Sequence, residues 1–167
     1  EFERGRPIGP IQEVGKSSGN GTMVHFLPDE KIFNTFEFDF EILSQRFKEM
    51  AYLNPGLEFD TFLESGGKRR KFLFHGGIVE MVGEMNKGRE MLHDVISLDK
   101  TSGTAQVSVA MQYTTHVREE ALSFVNCIAT IEGGTHVTGF RSALTRALND
   151  YARKQKLIKD DQSNFSG

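Results

Sequence analysis

The sequence predicts an α+β fold, built as two small helix-and-strand domains in series. Two observations carry that prediction: some segments repeat apolar residues at helical spacing, and others alternate apolar and polar residues with a period of two. A third sets the division. The glycine pair Gly76-Gly77 separates two such runs and is read as the boundary between domains 1–77 and 78–167.

Taken in order, residues 1–14 alternate poorly and contain Pro7 and Pro10, which suits an edge strand or a hairpin arm. Lys16-Ser17-Ser18-Gly19-Asn20-Gly21 reads as a flexible turn, and Thr22 to Leu27 as a strand ended by Pro28-Asp29. From Asp39 to Leu53, Ile42, Leu43, Phe47, Met50 and Ala51 recur at helical spacing, and Asn54-Pro55-Gly56 stops the helix. Leu57 to Leu63 and Lys71 to Phe74 form a hairpin across Ser65-Gly66-Gly67. In the second domain Ile78 to Met85 is a short helix burying Ile78, Val79, Met81, Val82 and Met85. Val95 to Leu98 pairs with Thr104 to Tyr113, in which Ala105, Val107, Val109 and Met111 share one face. Leu122 to Ile128 is a third strand, with Cys127 an inert core residue on it. A paired glycine then leads into a long helix, capped by a threonine, that buries Val137, Phe140, Leu144, Ala147, Leu148 and Tyr151.

At 167 residues the chain is long enough for a real core, and 38% hydrophobic with 26% charged residues is ordinary for a soluble protein. A net charge of -3 gives no global attraction to nucleic acid, so a DNA contact would need a local basic surface. A single cysteine excludes an internal disulfide framework and fits a reducing cytoplasm. No apolar run is long enough to span a bilayer, so no membrane partner is expected. The ends read as cuts rather than natural termini.

Several motifs invite chemistry. Gly19-Asn20-Gly21-Thr22 could approach a phosphate, but it opens a strand and lacks a following lysine, so it is no Walker-type loop. The five histidines have no metal-ligand spacing, and no metal ligand or catalytic residue is assigned. His136, beside the glycine pair, is read as hydrogen-bonding that junction, for want of a nearby nucleophile or orienting acid. Glu119-Glu120 and Asp160-Asp161 are read as surface charges, and Lys68-Arg69-Arg70-Lys71 as a solvated hairpin tip. Arg141, Arg146 and Arg153 lie away from the apolar stripe of the last helix, with Lys154 and Lys156 extending its positive end.

Two stretches are more specific. Glu132-Gly133-Gly134-Thr135-His136-Val137-Thr138-Gly139-Phe140-Arg141, continued through Lys154, and Gly21-Thr22-Met23-Val24-His25-Phe26-Leu27-Pro28-Asp29 resemble the ATPase subunit of bacterial type IIA DNA topoisomerases, gyrase more than topoisomerase IV. The resemblance implies the C-terminal half of a Bergerat-type (GHKL) ATPase sandwich over 1–77. Over 78–167 it implies the N-terminal part of a ribosomal-protein-like left-handed β-α-β transducer domain. It places Thr22 and Val24 at the adenine and Arg141 on a basic wall facing double-stranded DNA. It further implies ATP and Mg2+ as cofactors, whose main ligands are expected outside this chain, so that these residues alone are expected to be catalytically inert. The implied partners are DNA, a gyrase A subunit in an A2B2 assembly, and a second B subunit on ATP binding. A topoisomerase IV B subunit, or a nucleic-acid-binding module without enzymatic activity, are the alternative readings.

Overall fold

A computed structural model of the chain describes residues 1–34, 37–159 and 161–166. Asp160 lies outside the described residues, so the reading of Asp160-Asp161 as surface charge is addressed only for Asp161, which is exposed. The chain divides into two compact units, Glu1–Leu43 and Ser44–Gly167, and Gly76-Gly77 falls inside the second. The elements are helices and antiparallel hairpins, an α+β composition as expected.

In the first unit, strands β1 (Phe2–Glu3) and β2 (Arg6–Pro7) form a minimal hairpin in which Phe2 faces Pro7 and Glu3 faces Arg6. Arg4 and Gly5 make its turn with φ of 50° and 77°. The two positive φ values match the twist that a two-residue hairpin loop needs. Arg4 Nε reaches Asp29 Oδ2 at 2.9 Å. Asp29 also accepts the Lys31 amide, and that bond, followed by Arg4, holds its carboxyl below its ordinary value. Phe26 and Phe38 meet edge to face, centroids 5.7 Å apart.

Residues 22–27 are not the expected strand; they run as irregular chain with Met23, Val24, Phe26 and Leu27 exposed. A strand is stable only beside a neighbour that takes its amide and carbonyl groups, and among the described residues no ladder joins this segment.

Helix α1 (Phe40–Leu53) begins where Asp39 Oδ1 accepts the amides of Glu41 and Ile42 at 2.8 and 3.2 Å. This satisfies two of the amides a helix start leaves unpaired. The buried positions are Phe40, Ser44, Ala51 and Tyr52, whereas Ile42 is 70% exposed. The inward stripe thus follows 40, 44, 47 and 51, and Ile42 is two residues, more than half a turn, off it. Asn54 Nδ2 closes the end on the Met50 carbonyl at 2.7 Å. Gly56, with φ of 83°, then turns the chain and donates to the Phe74 carbonyl at 2.9 Å.

Strands β3 (Phe59–Leu63) and β4 (Lys68–Phe72) pair in antiparallel register from Phe59 opposite Phe72 to Leu63 opposite Lys68. Phe47 of α1 lies 6.1 Å from Phe59 between ring centroids, and Tyr52 stacks on Phe74 at 3.7 Å. The basic run Lys68 to Lys71 is not the hairpin tip expected of it: the turn is Glu64–Gly66 with Gly67, and the run lies in β4. There Arg69 pairs with Asp60, and Lys71 reaches Glu58 at 3.0 Å and Asp60 at 3.3 Å. Helix α2 (Gly77–Met85) follows with Met81 buried and Val79 exposed.

Strands β5 (Ile96–Ser102) and β6 (Ala105–Met111) form a second full hairpin about Gly103. Of the residues expected to share a buried face, Val109 and Met111 are half-buried near its base, while Ala105 and Val107 are exposed at its tip. Alternation reports which residues share a face; it does not report whether anything covers that face.

The expected strand Leu122–Ile128 is instead a hairpin of two-residue strands, β7 (Phe124–Val125) and β8 (Ile128–Ala129). Its turn is Asn126-Cys127, with φ of 47° and 66°. Asparagine tolerates this left-handed conformation, which is the signal that the apolar run concealed. Cys127 therefore sits in a turn and is half-buried, not in a strand core. Its carbonyl accepts Arg46 Nη2 at 2.5 Å, and its Sγ lies 3.5 Å from Asn54 Nδ2.

Candidate functional site

Helix α3 (Thr135–Lys154) carries the cationic residues singled out by the sequence. Its start is built by Gly133 and Gly134, with φ of 77° and 154°. The second combines that φ with a ψ of 178°, a conformation open almost only to glycine. Gly134, not a threonine, is the cap residue, and no side chain caps the helix: Thr135 is its first residue. Thr138 instead bonds back to the Gly134 carbonyl through its amide at 3.1 Å and its hydroxyl at 3.3 Å. His136 has the junction contact expected of it. Its Nε2 is 3.3 Å from Thr130 Oγ1, which is 2.6 Å from Ser123 Oγ.

The inward stripe of α3 differs from the apolar pattern. Val137, Phe140, Leu144 and Thr145 are half-buried and Asn149 and Ala152 buried, while Ala147, Leu148 and Tyr151 are exposed. Asn149 explains the shift. Its Nδ2 donates to the carbonyls of Thr145 and Phe165 at 2.9 and 3.0 Å, and its Oδ1 accepts the Phe165 amide at 2.7 Å. Arg153 is likewise engaged by the returning chain, donating to the carbonyls of Lys159 and Gln162 at 2.8 and 2.6 Å and to Asn164 Oδ1 at 2.8 Å. The turn between them is a Schellman end: Leu157 N bonds the Ala152 carbonyl and Lys156 N that of Arg153, with Lys156 at φ 57°.

The returned segment and one face of α3 enclose an open groove of about 640 Å³. Arg141 and Arg146 bring positive charge to it, Thr138, Ser142, Thr145 and Asn149 bring hydrogen-bonding groups, and Asp150 brings one opposing charge. Val137 and Phe165 add apolar surface to the same lining, so the groove mixes charge, hydrogen-bonding groups and apolar area.

Arg141 does not stand alone. Its Nη2 meets Glu119 Oε1 at 2.6 Å, both side chains being well exposed at 56% and 67%. The neighbouring Glu120 accepts Arg89 Nη2 at 2.8 Å, a bond that holds the Glu120 carboxyl below its ordinary value. Sequence inspection placed Glu119 and Glu120 on the surface, as found, but not against these arginines. The two members of each pair are 22 and 31 residues apart, so no local pattern announces them.

Thr22 and Val24 lie in the first unit, in the irregular segment, and both are exposed. Among the described residues no group of three His, Cys, Asp or Glu side chains is placed to hold a metal ion, and no helix is long and apolar enough to cross a membrane.

Comparison with known proteins gives these features a context. The chain is 42% identical to the DNA gyrase B protein of Thermotoga maritima over 99% of its own length and 27% of that protein's. It is 43% identical to the DNA gyrase B protein of Streptococcus pneumoniae over 100% of its length and 26% of the relative's. It thus spans about a quarter of the curated relatives it matches. In three dimensions it matches the crystal structure of the 43K ATPase domain of Thermus thermophilus gyrase B in complex with an aminocoumarin, with a TM-score of 0.71 and 35% identity. That match covers 84% of this chain and 38% of the other. Residues 77–167 match the DNA gyrase B family, which is more than half of the sequence. The chain belongs to the DNA gyrase B family.

Proposed function

We propose that these residues form part of the ATP-hydrolysing B subunit of a DNA gyrase, which couples ATP binding and hydrolysis to DNA strand passage and negative supercoiling. The observation that carries this reading is similarity above 40% identity to gyrase B proteins along essentially the whole chain. Residues 1–77 are the end of the ATP-binding domain and 78–167 the start of the transducer, a division supported by the family match beginning at residue 77. Thr22 and Val24 contribute to the adenine pocket. Exposed on irregular chain, they do not enclose a ligand by themselves, so this assignment rests on the motif from Gly21 to Asp29.

Arg141 faces the DNA duplex being passed. An exposed guanidinium lining a groove on α3 can contact phosphate oxygens, and such contacts position a duplex without reading its sequence. The complete protein uses ATP with Mg2+, works in the cytoplasm, dimerises on binding ATP, and assembles with gyrase A as A2B2.

The test uses the full-length protein that contains this segment, together with gyrase A. The unsubstituted protein should supercoil relaxed plasmid in an ATP-dependent reaction; failure to do so overturns the gyrase reading. Arg141→Ala should retain ATP turnover and lose most supercoiling. Normal supercoiling by that variant removes Arg141 from the DNA wall and leaves the rest standing.

A further inference from the structure

We infer that Glu119 and Glu120 form an internal anion that occupies Arg141 and Arg89 when DNA is absent, and that a duplex backbone displaces them. Arg89 is on this account a second phosphate-contacting residue of the same surface. The inference rests on the proposed DNA-facing role of Arg141 and extends it to a regulation of that site.

Two adjacent carboxylates each hold an arginine from a different element. Glu119 pairs with Arg141 on α3 at 2.6 Å, and Glu120 with Arg89, four residues past the end of α2, at 2.8 Å. A guanidinium recognises the two oxygens of a carboxylate and those of a phosphate through the same forked geometry, so either anion serves. Three further arginines of the second unit are committed elsewhere: Arg46 to the Cys127 carbonyl, Arg69 to Asp60 across a hairpin, and Arg153 to the returning chain. Those contacts join elements that must stay together. The pairs at Arg141 and Arg89 instead join these cations to residues 117–122. That stretch is irregular, and among the described residues no backbone bond ties it to another segment. Val117, at its start, is fully exposed.

The energetics favour exchange. Solvent-exposed ion pairs are weak, so an incoming phosphate displaces the carboxylate at little cost. Each arginine then gains a partner that also releases a condensed counterion from the duplex. The acidic pair sets a threshold: isolated anions compete poorly with a tethered carboxylate, whereas a continuous backbone engages both arginines together.

The measurement is fluorescence-anisotropy titration of this chain with a short labelled DNA duplex at several salt concentrations, in wild type, Glu119→Gln, Arg141→Ala and the double variant. The altered side chains are exposed, and circular dichroism checks that the fold is retained. Glu119→Gln should tighten binding about twofold to fivefold, the range open to an exposed pair. It should also steepen the salt dependence by about one released ion. Both gains should vanish in Glu119→Gln/Arg141→Ala. Glu120→Gln with Arg89→Ala should behave in parallel. If the gain from Glu119→Gln survives without Arg141, it is a general effect of removing negative charge and the inference is overturned. If Arg141→Ala weakens binding while Glu119→Gln changes nothing, Arg141 contacts DNA but no internal anion occupies it. If all four proteins bind alike, or none binds, the DNA-facing role itself fails.

Discussion

Replacing Gly134 by alanine isolates the junction on which α3 is built. Its backbone combines φ of 154° with ψ of 178°, which costs a non-glycine residue about 1–3 kcal/mol. A Cβ there would stand 2.9 Å from His136 Nδ1 and 3.0 Å from Cε1. The imidazole would have to swing away and give up its 3.3 Å contact with Thr130, an exposed bond worth about 0.5 kcal/mol. Together these predict a loss of about 1.5–3.5 kcal/mol, or roughly 3–14 °C in Tm for a chain of this size. Gly133→Ala provides the contrast. That residue also has positive φ, 77°, but nothing lies within 4 Å of an added Cβ, so it should lose only about 1–2 kcal/mol. The assay is urea unfolding followed by far-ultraviolet circular dichroism, with the cost of Gly134→Ala measured again in a His136→Ala background. Removing the ring should relieve part of that cost and leave the backbone share. Equal losses for the two glycine variants, or no relief without the ring, would refute this account of the junction.

Two further outcomes follow from contacts in the second unit. Hydrogen bonds from Arg69, then from Lys71, hold Asp60 at about 2 rather than its ordinary 3.8. A carboxyl depressed on folding adds stability above its unfolded value and loses it as pH falls towards the folded one, here from 3.8 down to about 2. Wild type should therefore lose stability more steeply than Asp60→Asn across that window, and parallel pH profiles would dismiss the contribution. Asn149→Ala removes both bonds to Phe165 and should cost about 1–3 kcal/mol. Amide exchange at Phe165 should accelerate with it, and an unchanged rate there would mean the returning chain is held by other groups.

The helices were legible in the sequence to within a few residues because each carries its own period and its own stop. Asp39 at the start of α1 and Asn54-Pro55-Gly56 at its end are local signals, and local signals suffice to place a helix. The β3–β4 and β5–β6 hairpins were legible for the same reason. What failed was tertiary in origin. Thr22 to Leu27 has the composition of a strand bounded by turn residues, but composition cannot supply a partner. Leu148 and Tyr151 have the spacing of a core, yet the polar Asn149 is buried instead because Phe165 returns to meet it. The candidate site divides likewise. Arg141 was singled out through a contiguous motif, while the partners of Glu119, Arg89 and Arg153 are residues that only folding brings near.

The hairpin topology also has a kinetic consequence. Each strand pairs with its neighbour in sequence, β1 with β2 through to β7 with β8, and among the described residues no crossover links one pair to another. Closing such short loops costs little entropy, and isolated helices and hairpins form within microseconds. Strand pairing is therefore not what limits the rate at which this chain acquires its structure. The slow event is the meeting of groups remote along the chain, such as Arg46 with the Cys127 carbonyl across 81 residues. Because that meeting is the limiting step, losing the contact slows assembly more than it speeds unfolding.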